Sequence, residues 1–149
     1  MKLKDPSLLR SQAYINGAWI DAADGRVFAV NNPADGSLIA EVADLGADSI
    51  TAAIDAAVPA QKAWAATTAK TRAMILRRWY DLVIENTDDL ATILTSEMGK
   101  PLAESKIEMQ VAIDLLRWYG EEGKRIYGRI IPSRFPGMQH EARKVPVGP

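Results

Sequence analysis

Apolar positions change their spacing along this chain. They alternate in short runs over the first forty residues and recur at intervals of three, four and seven from about residue 47 to residue 125. The opening therefore predicts β structure and the body predicts helices. Tyr14-Ile15-Asn16-Gly17-Ala18-Trp19-Ile20 reads as two short strands around an Asn-Gly turn, the strongest local hairpin signal. A second pair follows, with Arg26 to Val30 running in, Asn32-Pro33-Ala34-Asp35-Gly36 turning, and Leu38 to Ala43 running out. The four segments are expected to form one small antiparallel sheet. Such a sheet is marginal alone and needs helices to lie on.

The first helix is expected to begin near Ala47-Asp48, with Ile50, Ile54, Ala57 and Trp64 on one face. Pro59 falls inside it, lacks an amide for the carbonyl of Asp55, and predicts a kink or a break. Thr68 is suited to cap a second helix, whose face of Ala73, Leu76, Tyr80 and Val83 is widened by Ile75, Trp79 and Leu82. At Asn86-Thr87-Asp88-Asp89 the helix restarts: Thr87 is placed to cap, and the two aspartates face the positive dipole end. The pattern then resumes through Leu90, Ile93 and Leu94. The last helix should carry Ile107, Val111, Leu115 and Trp118 inward and close at Gly128, and Glu141 to Val147 should be a strand.

Between the last two helices lies the sharpest local signal, Thr95-Ser-Glu-Met-Gly-Lys-Pro101. Gly99 suits the left-handed position after a helix, and Pro101 suits the first turn of the next while pushing Lys100 out of helical geometry. Gly99-Lys100 is not a phosphate loop, because the upstream glycine and the following Ser or Thr are missing. Trp64, Trp79 and Trp118 recur on three helices and are expected in the core rather than as a stacking platform. The chain closes on Val147-Gly148-Pro149, where a strand has only begun, so a piece of a larger protein is expected.

Composition narrows the chemistry. The 149 residues carry a net charge of −1 and no basic cluster, which argues against nucleic acid as a partner. The apolar runs are too short to cross a bilayer and the N-terminus is too polar for a signal peptide, so a cytoplasmic, membrane-free protein is expected. There is no cysteine, which removes disulfides, thiolate metal sites and thiol nucleophiles from this chain. The single histidine, His140, stands in a polar run with no partner carboxylate or serine motif nearby. Glu97 is the carboxylate of interest: it falls at a helix C-terminus, where the dipole disfavours negative charge, so a positive partner is expected, either Lys100 or a bound cation.

The ordered series Tyr14-Ile-Asn-Gly-Ala-Trp19, Asn32-Pro33 with Gly36, Trp64, Thr95-x-Glu97-x-Gly99-Lys100-Pro101, Gly128 with Ile131-Pro132, and Pro146-Val147-Gly148 resembles the N-terminal third of the aldehyde dehydrogenase superfamily. The run Trp118-Tyr-Gly-Glu-Glu-Gly-Lys-Arg-Ile-Tyr-Gly128 is most similar to NAD(P)-dependent succinate-semialdehyde dehydrogenases. The resemblance implies an α/β fold for the full-length family, of which this chain supplies a mainly helical part with small antiparallel β segments. Residues 1–128 would belong to the cofactor-binding domain and residues 129–149 would begin the oligomerisation arm.

It also implies a reaction. In this family a cysteine attacks the aldehyde, hydride passes to the nicotinamide of NAD or NADP, and a glutamate activates water to release the acid. Those groups are expected beyond Pro149, so no catalytic or cofactor-binding residue is assigned and the isolated chain is expected to be inactive. What carries over is a monovalent cation site for sodium or potassium at Glu97 with the backbone of Val30 and Asn31, and a substrate-tunnel wall at Met109 or Val111. The implied partners are a small-molecule aldehyde and further copies of the protein, as a homodimer or homotetramer. An aldehyde dehydrogenase of other substrate range and a noncatalytic helical interaction module remain the competing readings.

Overall fold

The computed structural model describes residues 1–149. A short 3-10 turn at Pro6–Leu8 precedes β1 (Ala13–Ile15), β2 (Ala18–Ile20), β3 (Val27–Asn31) and β4 (Leu38–Ala43). Helices α1 (Ala47–Ala65), α2 (Ala69–Glu85), α3 (Thr87–Met98) and α4 (Leu102–Glu122) follow, then β5 (Arg129–Pro132) and β6 (Gln139–Ala142). The Asn16-Gly17 turn forms as the dipeptide predicts, with φ of 49° and 82° at its two centres, so Tyr14 stands opposite Trp19. Their rings are 5.1 Å apart, and the Arg10 guanidinium lies 4.9 Å from the Trp19 ring centroid. In the second hairpin the Asn32 side chain accepts from the Ala34 amide at 2.9 Å and Gly36 takes a φ of 74°, an Asx-type turn.

The β segments do not merge into one sheet. Each hairpin is its own two-stranded antiparallel ladder, because β2 and β3 share no hydrogen bonds. β5 and β6 make the third ladder, and the expected strand over 141–147 is displaced to Gln139–Ala142. The fold class agrees with the expectation: four helices with small antiparallel β segments.

Among the helices, α4 packs on both α2 and α3. Helix α2 turns inward the face that its periodicity names, with Ala73, Leu76, Tyr80 and Val83 half-buried and Ile75, Trp79 and Leu82 exposed. Thr68 caps it by accepting from the Thr71 amide at 3.1 Å. Helix α1 runs unbroken past Pro59, so the proline costs one hydrogen bond without ending the helix. Thr87 does not cap α3. Its hydroxyl donates back to the carbonyls of Val83 and Ile84, occupying the end of α2, while Asn86 stands at the N-cap position.

Helix α4 departs most from its reading. The stripe Ile107, Val111, Leu115 and Trp118 is exposed, and the inward face is instead Ser105, Met109, Ala112, Ile113, Leu116 and Gly120. Small residues win because they let the helices approach closely; a Cβ built on Gly120 would lie 3.7 Å from that of Leu76. Helix α4 also stops at Glu122 with Gly123 as its cap, so Gly128 is not its C′ residue. Gly128 is required elsewhere: a Cβ there would fall 2.6 Å from the Ala142 carbonyl oxygen across the β5–β6 ladder. Six of 149 residues are buried, and the three tryptophans expected in the core are 40–64% exposed.

Candidate functional site

Three places combine chemistry with position. The first is the corner after α3. Gly99 adopts φ 75° and donates its amide to the Thr95 carbonyl at 2.8 Å, ending the helix as Gly at C′ should. Pro101 sits one residue earlier than expected relative to α4, as its N-cap, because its ψ of 141° is extended. The corner abuts the Asn32-Pro33 turn so closely that a Cβ on Gly99 would lie 2.7 Å from the Pro33 ring. This brings the β3–β4 turn to the end of α3. The ladder register slips between Val30 and Asn31, so the backbone there departs from regular pairing.

Glu97 is exposed on the last turn of α3. The expected pairing with Lys100 is not made. Lys100 reaches across the corner to the Glu108 carboxylate on α4, and its side chain is only 18% exposed. A residue eight positions on won because the α3–α4 corner folds α4 back over Lys100. Beside the corner, the Thr95 and Ser105 hydroxyls bond at 2.7 Å, with Ser105 fully buried, and lock α3 to α4. No group of three or more His, Cys, Asp or Glu side chains is placed to hold a metal ion.

The second place is a wholly apolar groove of about 490 Å³ between α2 and α4, with walls that include Leu76, Trp79, Val83, Met109, Leu116 and Tyr119. Met109 is in it and Val111 is not; two residues apart on a helix they face different ways, and Val111 is 52% exposed. The groove holds no carboxylate, imidazole or hydroxyl nucleophile apart from the tyrosine phenol. It can accept hydrocarbon and performs no chemistry by itself.

The third is the charged start of α3. Asp88 pairs with Lys106 at 2.9 Å and Lys4 at 3.4 Å, and these hydrogen bonds and charges, Lys106 foremost, hold its carboxyl below the ordinary value. Asp89, 6% exposed, accepts the Lys4 and Asp5 amides. The sequence reading missed this role for Asp89, because nothing local links it to residues 84 and 85 positions away. At the end of α4, the Glu121 carboxyl is likewise lowered, chiefly by its hydrogen bond from Lys124 at 2.9 Å.

Every strand pair is antiparallel, so this chain by itself builds no crevice at the ends of parallel strands. Nor does any helix long and apolar enough to cross a membrane occur.

Comparison with known proteins accounts for this arrangement. The chain is 53% identical over 148 residues to the glutarate-semialdehyde dehydrogenase of Pseudomonas aeruginosa and 50% identical over 148 residues to the succinate-semialdehyde dehydrogenase (NADP+) of Escherichia coli; each match takes in 99% of this chain. It spans 31% of the length of each of these relatives. A crystal structure of an aldehyde dehydrogenase from Brucella melitensis biovar abortus superposes with a TM-score of 0.91 at 54% identity, covering 93% of this chain and 29% of that one. A model described as the aldehyde dehydrogenase family matches residues 19–149. The hairpins, the α3–α4 corner and the helical layer are thus parts of a known fold, and the chain belongs to the aldehyde dehydrogenase family.

Proposed function

We propose that this chain forms part of an NAD(P)-dependent oxidoreductase that, when complete, oxidises succinate semialdehyde or a closely related semialdehyde to the carboxylic acid in the cytoplasm. The observation that carries this reading is similarity at 50% identity or above to two semialdehyde dehydrogenases, running through 99% of the chain. The two relatives are named for substrates one methylene apart, a difference of the size that pockets separate only weakly. In the complete protein, residues 1–128 would belong to the cofactor-binding domain and residues 129–149 to the first part of an oligomerisation arm of a homodimer or homotetramer. The β5–β6 ladder, exposed at every position and with Ile130 84% and Ile131 46% exposed, supports such an arm.

Because the chain has no cysteine, the nucleophile belongs to other parts of the protein, and no step is assigned to these residues. When bound, the nicotinamide supplies a hydride acceptor. The role of this chain is to carry the helical layer and one wall of the substrate tunnel. Met109 is proposed for that wall, since it faces a purely apolar groove; Val111 would serve it only from α4's outer face.

A monovalent cation site is proposed at Glu97 with the carbonyls of Val30 and Asn31. Sodium and potassium take oxygen ligands, the β3–β4 register slips at Val30–Asn31, and Lys100 is committed to Glu108 rather than Glu97. The small core speaks against the competing reading of a self-contained helical module.

The test is a substrate panel on the product of the complete reading frame. Reduced nicotinamide should form fastest with succinate or glutarate semialdehyde, and a preference for aldehydes without an acid group would sink the semialdehyde assignment. For the cation, potassium should raise the melting temperature of wild type and not of Glu97→Gln. An equal response of both proteins places the ion elsewhere.

A further inference from the structure

No role within the complete protein is given above to the first ten residues themselves, and apart from the Arg10–Trp19 stacking one pair of aspartates receives every polar contact they make with the body. Asp89 uses both carboxylate oxygens: Oδ1 accepts from the Lys4 amide at 3.0 Å and Oδ2 from the Asp5 amide at 2.8 Å. Next to it, Asp88 meets the Lys4 ammonium at 3.4 Å. Residues 1–10 make no other hydrogen bond or ion pair with the chain beyond them. Within the segment there is local order. Asp5 accepts from the Ser7 amide at 2.9 Å, and the Pro6–Leu8 turn is closed by Leu8 to Asp5 and Leu9 to Pro6 bonds of 3.2 and 3.3 Å. Leu3, Leu8 and Leu9 are half-buried along its inner side.

An acidic residue in the first turn of a helix ordinarily serves the helix's own amides and dipole. Asp89 serves a distant segment instead. Its burial, at 6% exposed, is tolerable only because two amides answer the charge, so the segment and the carboxylate depend on each other. We propose that Asp89 is a clip and residues 1–10 a strap, and that the strap detaches from the start of α3 as one unit when the clip loses its second acceptor, while the helices stay in place. Each amide meets its own oxygen, so in this geometry asparagine answers only one of them. Its amide nitrogen would face an N–H donor.

Hydrogen exchange on the product of the complete reading frame tests this. In Asp89→Asn, exchange at Lys4, Asp5 and the Pro6–Leu8 turn should rise together by about tenfold or more, the effect of losing a charge-assisted bond pair. Amides at the other end of α3 and beyond, Gly99 and Ser105, should keep wild-type rates. Asp88→Asn removes only exposed ion pairs and should leave the strap protected to within about threefold. Unchanged exchange at Lys4 and Asp5 in Asp89→Asn would overturn the clip, and so would an equal rise at Gly99 and Ser105, which would make Asp89 a determinant of the whole helix. If Asp89→Asn fails to fold, Lys4→Pro removes one donor, together with the exposed Lys4–Asp88 ion pair for which Asp88→Asn is the control, and substitutes no residue of α3. Asp5 should then exchange at least about tenfold faster, and its continued protection refutes the proposal.

Discussion

At the scale of residues, much of the structure follows from local chemistry, and the clearest case is Gly99. Its φ of 75° is a conformation that any side chain resists, and a Cβ there would sit 2.7 Å from Pro33. Gly99→Ala therefore combines left-handed strain with a forced shift of the turn and should cost about 2 kcal/mol or more. A urea titration followed by circular dichroism should show the midpoint falling accordingly. Thr68→Ala removes the one side-chain cap of α2 and should cost about 1 kcal/mol in the same titration. Thr71→Ala should cost less, since it loses only a hydroxyl–hydroxyl bond of 2.9 Å on the surface. These residues were legible in the sequence, because turns and caps depend on neighbours a few positions away. Glu108 as the partner of Lys100, and Asp89 as the partner of the N-terminus, were not, since their partners are chosen only after helices pack.

At the scale of elements, the start and the end of α3 behave differently toward pH. Asp88 links α3 to α4 through Lys106, and its folded pKa lies below the ordinary 3.8. A depressed carboxylate pKa means that the pair's contribution is fully present above that ordinary value and is lost as pH falls through the folded one. The stability difference between wild type and Asp88→Asn should therefore be constant through neutral and mildly acidic pH, begin to shrink at about pH 4 and disappear as pH falls through the folded pKa, and half-molar salt should shrink it wherever the carboxylate is ionised. A difference that persists at pH 2 would assign Asp88 a role other than ion pairing. The Thr95–Ser105 link should be indifferent to both variables. Element identity was read well where one periodic face faces one neighbour, as in α2. It was read poorly in α4, which carries two apolar faces: periodicity cannot say which of them meets α2 and α3, and the face with Ser105, Ala112 and Gly120 was chosen because close packing favours small residues.

At the scale of the whole molecule, 149 residues leave large apolar side chains on the surface, including Ile130 at 84%, Tyr127 at 70% and Trp118 at 64% exposed. The purified chain should bind an apolar fluorescent dye and self-associate, and a monodisperse monomer without dye binding would favour a self-contained module. Lacking any thiol, it should also produce no reduced nicotinamide from aldehyde and NAD or NADP; measurable turnover by this polypeptide would refute the proposed cysteine chemistry. What the sequence alone determined was local and ordered: the Asn16-Gly17 and Asn32–Gly36 turns, the cap at Thr68, the stop at Gly99, and the series of motifs that marks the family. Each depends on φ preferences, short-range hydrogen bonds or motif order, all of which are properties of adjacent residues. Tertiary structure alone decided that the hairpins stay separate, which face of α4 turns inward, that Lys100 pairs with Glu108, and that Asp89 receives the amides of Lys4 and Asp5. Those outcomes depend on which surfaces approach closely enough to exclude water, and that is settled between segments far apart in the chain.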